Sequence, residues 1–324
     1  MITGSSFQPA WWLRAPHLQT LWASLLRRRA GIATRPERLE LPDSDFLDLA
    51  WMPDAAGPLV LVLHGLEGSI RSPYASGILR ALHAGGFVAV LMHHRGCSGE
   101  PNRLARGYHS GETGDLAYVV QVLRRRYPGR QLFVIGYSIG GNMLLKWLGE
   151  TGNDSGIEGA IAVSVPFILA DAADRLCRGM SRLYQWHLLR HMKRAVRRKV
   201  QLLDTQIDVG AALASTTFWQ FDDIVTAPLH GFRDVNDYYA RASSRPWLKH
   251  IATPTLLLHA RDDPFMFPSS LPASNELPPS VTLEITQHGG HVGFINGPWP
   301  GLAHYWLEHR IVQHLHALVG TMRP

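Results

Sequence analysis

Leu132-Phe133-Val134-Ile135-Gly136-Tyr137-Ser138-Ile139-Gly140-Gly141-Asn142-Met143-Leu144-Leu145-Lys146-Trp147-Leu148 joins an apolar run of strand character to a run of helical character. One serine stands between two glycines at the joint. Strand, G-x-S-x-G, helix is the setting of a nucleophile elbow, in which the serine occupies a sharp and strained turn. Residues flanking such a turn must be very small to let strand and helix pass, and Gly136 and Gly140 meet that need. Ile139 opens the helix with its N–H unpaired, so that N–H and the helix dipole face any negative charge developing beside Ser138. The stretch therefore predicts a nucleophile and half of an oxyanion hole.

Outward from the elbow, short apolar runs recur: Leu59 to Leu63, Phe87 to Met92, Leu132 to Ile135, Ile157 to Val163, Thr255 to Leu258 and Val281 to Ile285. Most are separated by segments long enough for a helix, and nearly continuous apolar strands between helices imply a mostly parallel sheet covered on both faces. Before them, Arg38 to Leu41 and Phe46 to Trp51 flank the turn Pro42-Asp43-Ser44-Asp45 and predict an antiparallel hairpin.

The strand rhythm stops between Val165 and Thr253. A gap of that length exceeds what joins two parallel strands, so residues 166–247 are read as a helical cap inserted into a core of 36–165 and 248–324. Within it, Met180 to Val200 spaces Leu183, Leu189, Met192, Val196 and Val200 helically, with Arg182, Arg190, Lys193, Arg194, Arg197, Arg198 and Lys199 interspersed. The plain reading is a solvated basic face on a packed helix; the other is attraction to acidic head groups, an acyl phosphate or CoA. Residues 1–35 form an N-terminal amphipathic helical segment, with Trp11, Trp12, Trp22, Leu18, Leu21, Leu25, Leu26 and a terminal cluster Arg27-Arg28-Arg29. Such a stripe suits a membrane interface or a helix packed on the body, and packing is the commoner use.

A serine hydroxyl needs a base within reach and a third group to hold that base in the right tautomer. After the strand ending at Leu258 comes His259-Ala260-Arg261-Asp262-Asp263-Pro264-Phe265, an acidic loop at a strand's C-terminal end, where the sites of open α/β sheets collect. After the last strand comes Gln287-His288-Gly289-Gly290-His291-Val292-Gly293-Phe294. Asp263, three residues beyond Ala260 and before Pro264, is the expected acid, with Asp262 supporting its loop. His291, carried over the site by two glycines, is the expected base ahead of His288. Order along the chain is nucleophile, acid, base.

The second half of the oxyanion hole is expected from His64-Gly65-Leu66-Glu67-Gly68, where Gly65 permits the bend and Leu66 presents its N–H. His64 reads as a ring that ties this loop. Arg95 reads as a buried ion-pair residue, with Asp115 and Glu112 as candidate partners. His93 and His94 beside Cys97 lack a second ligand cluster, so no metal is expected, and Cys97 lacks an elbow of its own.

A chain of 324 residues with 46% hydrophobic and 18% charged residues is an ordinary globular composition. The net charge of +6 comes with Lys and Arg clustered in two segments. That suits acidic lipid or an anionic substrate better than nucleic acid. Two cysteines, no leader pattern and no run near ~20 apolar residues point to a cytoplasmic protein. No P-loop or G-x-G-x-x-G is present, and no cofactor is expected.

These residues resemble the YheT-like hydrolases of bacteria, related to the eukaryotic abhydrolase-domain lipases and to yeast medium-chain acyl-ester synthases. The resemblance spans nearly the whole chain and is carried by Trp11-Trp12-Leu13-Arg14-Ala15-Pro16-His17-Leu18-Gln19-Thr20, His64 to Gly68, Arg95-Gly96-Cys97-Ser98-Gly99, Gly136 to Asn142, Asp262 to Phe265 and Gly289 to Phe294. It implies an α/β-hydrolase fold, a triad of Ser138, Asp263 and His291, and short- or medium-chain acyl esters or lipids as substrates. Transfer of the acyl group to an alcohol is the alternative, and a catalytically silent lipid- or partner-binding homologue the rival from another class. Two departures stand out. His93 and His94 fill places where relatives often have Asn-Phe, which implies a pocket of different polarity. Asn296 replaces an aspartate common in acyltransferase relatives, which counts against transfer.

Overall fold

The computed structural model describes residues 1–27, 32–53, 56–203 and 206–321. In Leu59–Leu63 (β4), every side chain is buried, yet alternate residues serve different cores: Leu59, Leu61 and Leu63 join one cluster, Val60 and Val62 the other. The period of two that sends successive side chains to opposite faces thus divides an unbroken apolar run between two helical layers. On one face lie Gly114–Arg126 (α3) and Ile139–Thr151 (α4); on the other lie Pro73–Ala84 (α2) and the C-terminal helix Trp306–Thr321.

The remaining strands of the main sheet are Ile2–Gly4 (β1), Arg35–Glu40 (β2), Phe46–Trp51 (β3), Val88–Met92 (β5), Leu132–Tyr137 (β6), Gly159–Val163 (β7), Thr255–Ala260 (β8) and Val281–Thr286 (β9). They form one sheet in the order β1-β9-β8-β7-β6-β4-β5-β3-β2. Neighbours from β1 to β5 run parallel, while β3 pairs antiparallel with both β5 and β2. The expected hairpin is present as the β2–β3 edge. Strand β1 has no counterpart in the sequence reading. It is three residues long and lacks an apolar pattern, and it exists because β9 offers a free edge some 280 residues away: Ile2 lies opposite Leu283, and Leu283 N–H donates to Met1 O at 2.8 Å.

The N-terminal helix is shorter than the expected helical segment of residues 1–35. It covers Pro16–Leu25 (α1), because Pro16 at its first turn has no N–H to extend the ladder backwards and holds Ala15 extended. Trp11 and Trp12 therefore lie outside it, and Arg28 and Arg29 lie outside the described residues. The buried side of α1 is polar in part, carrying Gln19 and Thr20 beside Ala23. Arg27 is buried in an ion pair with Glu308 of the C-terminal helix.

Between β7 and β8 no strand occurs among the described residues. Helices Leu169–Leu176 (α5) and Ser181–Arg198 (α6), several short turns and the helix Val235–Ala242 occupy the interval. They close over a core of their own, in which Leu189, Phe218, Phe221, Val225 and Tyr238 meet Leu66 and Phe265 from the sheet domain's loops.

Candidate active site

Strand β6 ends at Tyr137 and α4 begins at Ile139, so Ser138 alone makes the turn, at φ 53° and ψ −120°. Its N–H donates to Val163 O at 2.8 Å, fixing the strained residue to the neighbouring strand. The flanking glycines are needed for clearance: a Cβ on Gly140 would lie 2.6 Å from His64 O, and one on Gly136 would overlap Gly140 O. Strand and helix pass too closely for any side chain at either place.

Ser138 Oγ lies 3.1 Å from His291 Nε2, and His291 Nδ1 lies 2.9 Å from Asp263 Oδ2. Asp263 is 3% exposed. Its carboxylate accepts a hydrogen bond from Nδ1–H, which fixes the tautomer and leaves Nε2 with a lone pair directed at the serine hydroxyl. Its other oxygen accepts Phe265 N–H at 2.8 Å. Asp262 and His288 form a parallel outer pair: Asp262 accepts Gly290 N–H at 3.0 Å and meets His288 Nδ1 at 3.3 Å. One Asp/His pair thus reaches Ser138 and the adjacent one holds the base's loop.

Among residues 65 to 68, three N–H groups are already engaged. Gly65 donates to Tyr74 OH at 2.7 Å, Glu67 to Tyr108 OH at 2.8 Å and Gly68 to Gly65 O at 3.0 Å. The N–H of Leu66 has no partner among the described residues, and Leu66 lines the same cavity as Ser138, Ile139 and His291. That leaves Leu66 and Ile139 as the available donors beside Ser138.

His64 is fully buried. Its Nδ1 donates to Gly65 O at 2.7 Å and its Nε2 accepts His94 N–H at 3.1 Å. Burial, with His94 alongside, holds its pKa well below the ordinary value and keeps the ring neutral. His94 in turn donates to His64 O at 2.9 Å, and His93 bridges Asp48 O and Ile70 N–H. Neither His93 nor His94 lines the cavity. Their departure from the Asn-Phe pattern therefore alters the struts behind the oxyanion loop and leaves pocket polarity untouched. Arg95 pairs with Asp115, as expected, and also with Asp43 and Asp45, whereas Glu112 is taken by Arg106. Burial and the nearby Glu67 push the Cys97 thiol well above its ordinary pKa, the reverse of what a nucleophile needs. Among the described residues no three His, Cys, Asp or Glu side chains gather as a metal site.

Several contributors have no signal of their own in the sequence. Thr20 Oγ1 accepts His291 N–H at 2.9 Å, and Gln19 clamps the chain after the base by bonding both Ile295 N and Ile295 O. Ser164 Oγ accepts Val292 N–H at 3.1 Å. Asn142, on the first turn of α4, donates to Ser110 O and Ala242 O and accepts Ser244 N–H, tying the elbow to the cap. Only the resemblance, through Gln19-Thr20 and Asn142, marked any of these positions, and it attached no role to them.

The cavity beside Ser138 has a volume of about 810 Å³. Its walls come from the turn of residues 65–74, from α1 and mainly from the cap, including Leu169, Leu183, Met192, Phe218 and Val225. Apolar walls around a few convergent polar groups suit a small-molecule or lipid ligand.

A mostly parallel sheet with a serine on its strand-to-helix elbow and an Asp/His pair from later loops defines an α/β hydrolase. The chain belongs to the α/β-hydrolase fold family, whose family model matches residues 58–298. Within it, the chain groups with esterase- and lipase-type members. It is 44% identical to YheT of Escherichia coli (strain K12), a candidate esterase by its name, over 91% of this chain and 88% of that protein. It is 28% identical to the phospholipase ABHD3 of Mus musculus, over 92% and 75% of the two chains. A monoacylglycerol lipase of Saccharomyces cerevisiae is 34% identical over 74% of this chain and 56% of that one. The esterase Pf2001 of Pyrococcus furiosus superposes with a TM-score of 0.58 at 15% identity, over 99% and 98%, a likeness of fold. No helix among the described residues is long and apolar enough to cross a membrane.

Proposed function

We propose that the protein hydrolyses carboxylic esters through an acyl-enzyme on Ser138. The observation that carries this reading is the unbroken contact chain from Ser138 Oγ to His291 to the buried Asp263, opening on an apolar cavity. His291 takes the hydroxyl proton as Oγ attacks the ester carbonyl, and Asp263 stabilises the imidazolium that forms. The N–H groups of Leu66 and Ile139 bind the oxyanion of the tetrahedral intermediate. The proton on His291 passes to the leaving alkoxide, and the alcohol departs. Water, deprotonated by His291, then attacks the acyl-enzyme and releases the acid. The esterase, phospholipase and lipase names of the relatives support acyl esters, lipids among them, as the substrate class. The unpaired Cys97 and Cys177 fit a reducing, cytoplasmic setting.

A fluorophosphonate probe tests the reading. It should label the wild type and leave Ser138→Ala unlabelled, and p-nitrophenyl esters of graded acyl length should be hydrolysed. Equal labelling of both proteins would remove Ser138 from the mechanism. Ester product outweighing acid at low added alcohol would make the protein an acyltransferase.

A further inference from the structure

Helices α1 and α6 meet where His17 of α1 stacks on Tyr184 of α6, with Nδ1 and OH 3.1 Å apart. Both present large apolar side chains to solvent: Leu18 and Leu25 from the first, with Leu26 just after it, and Leu183 and Trp186 from the second, with Met180 just before it. Trp186 is 61% exposed and Leu25 is 72% exposed. Four of these, Leu25, Met180, Leu183 and Trp186, also line the cavity that holds Ser138. Exposed apolar side chains at both helices therefore border the cavity that holds Ser138.

Along α6 the charge is of one sign. Helix α6 contains no Asp or Glu in its 18 residues. Arg182, Trp186, Arg190, Arg194 and Arg197 recur at three- and four-residue intervals and share its exposed side. Arg182, Arg190, Arg194 and Arg197 make no ion pair among the described residues. Arg190 lies over the Trp186 ring, 5.6 Å from its centroid. A solvated face used only for solubility would mix both signs and keep its leucines and tryptophans covered.

We propose that the α1–α6 face docks the protein on an anionic lipid bilayer, with the cavity mouth opening into the lipid. Arginines without internal partners meet anionic headgroups, and Trp186 takes the interfacial position that an amphipathic indole prefers. The exposed leucines and Met180 enter the acyl boundary. Among polyanions, nucleic acid offers no apolar phase for these side chains, and a protein seated here would plug the mouth. A bilayer satisfies both the charge and the apolar rim and supplies acyl chains directly to the cavity. Delivery of substrate through the face rests on the ester-hydrolase reading; the docking itself does not.

Flotation with vesicles, performed on Ser138→Ala so that lipid is not consumed, separates the two. The protein should float with phosphatidylcholine vesicles containing about a third phosphatidylglycerol. Flotation should fall at high salt and be weak with phosphatidylcholine alone. The double variant Arg190→Glu/Arg194→Glu should partition at least roughly tenfold less, while Arg190→Lys/Arg194→Lys retains binding, since each cation contributes mainly its charge. Thermal melting confirms that each variant is folded. Tryptophan quenching by brominated acyl chains should fall in Trp186→Phe. The proposal is overturned by absence of flotation with anionic vesicles, by equal flotation of the Glu variant, or by quenching that Trp186→Phe leaves unchanged. Flotation of Ser138→Ala together with a wild type that takes no fluorophosphonate label and hydrolyses no ester would keep the docking and remove the ester reading.

Discussion

The phenyl ring of Phe265 lies flat on the imidazole of His291, with centroids 3.9 Å apart and planes 12° apart. Tyr184 from the cap stacks with Phe265 in turn, 4.9 Å away, so a single column links α6 to the candidate base. The π face is electron-rich and favours the imidazolium that forms when Ser138 loses its proton. Phe265→Leu should lower kcat roughly three- to tenfold, more than it raises KM, and Phe265→Tyr should restore it. Steady-state kinetics on one soluble ester decides, and an unchanged kcat for the Leu variant removes the role.

Asp263 and Asp262 differ in what they hold, and their amides should differ accordingly. Asp263→Asn places an NH₂ or a weaker acceptor against His291 Nδ1 and releases the tautomer, so kcat should fall by about 10⁴. Asp262→Asn disturbs only Gly290 and His288, and less than a tenfold loss is expected. Comparable losses in both would mean that the inner pair does not set the tautomer.

Gly140→Ala forces a Cβ to within 2.6 Å of His64 O and 2.9 Å of Leu63 O, neither of which can move without the sheet. Destabilisation of about 1–3 kcal/mol is expected in urea denaturation. At Gly65 the Cβ would lie 3.3 Å from Ser138 Cβ. There the loss should appear in activity more than in stability, and the reverse ranking would contradict the close-approach argument.

Arg95 grips Asp115 through Nε and Nη2 at 2.8 and 2.7 Å, while Nη1 reaches Asp43 at 2.7 Å and Asp45 at 3.0 Å. Asp45 is fully buried, so Arg95→Met strands a carboxylate out of water and should cost about 3–5 kcal/mol. Arg95→Lys should recover little, because one ammonium cannot reproduce the fork. Chemical denaturation of the two variants gives the comparison.

Asp222 in the cavity wall is buried, with its carboxyl accepting hydrogen bonds from Thr226 and Tyr239 and no ion-pair partner among the described residues. Burial outweighs those bonds and raises its pKa from 3.8 to about 6. Between these values the folded chain holds the extra proton, so this group's contribution to stability falls as pH rises from about 4 to about 6. A shift of about two units corresponds to roughly 3 kcal/mol withheld at neutral pH. Asp222→Asn should therefore be more stable than the wild type at pH 8, with a flatter profile across the acidic range. A variant destabilised equally at pH 4 and pH 8 would show that the hydroxyl contacts outweigh the charge.

Where a pattern is local, the sequence carried it. The elbow, the apolar strands and the hairpin at Pro42 to Asp45 depend on neighbours within a few residues, and the long helical interval before β8 is legible for the same reason. The resemblance added the family, and the relatives agree with it. Strand β1 stayed hidden because three residues hold no period, and its pairing is decided by an edge at the other end of the chain. The length of α1 was readable in principle, since Pro16 forbids an earlier start, but the tryptophans before it suggested a longer stripe.

The sequence by itself determined that a serine on a strained turn, an acidic loop and a glycine-flanked histidine occur in an order suited to acyl chemistry. Loop spacing favoured Asp263 over Asp262, and the tertiary structure supplies the geometry in which Asp263 meets His291 while Asp262 holds Gly290. Adjacent residues on one loop point in different directions, and that choice depends on where β8 and β9 end relative to each other. It also decided that Thr20, Gln19, Ser164 and Phe265 fix the histidine, and that Leu66 alone in its turn keeps a free N–H among the described residues. Those contacts join residues that lie on separate loops and elements, or depend on which neighbours consume a donor, and no local pattern encodes them.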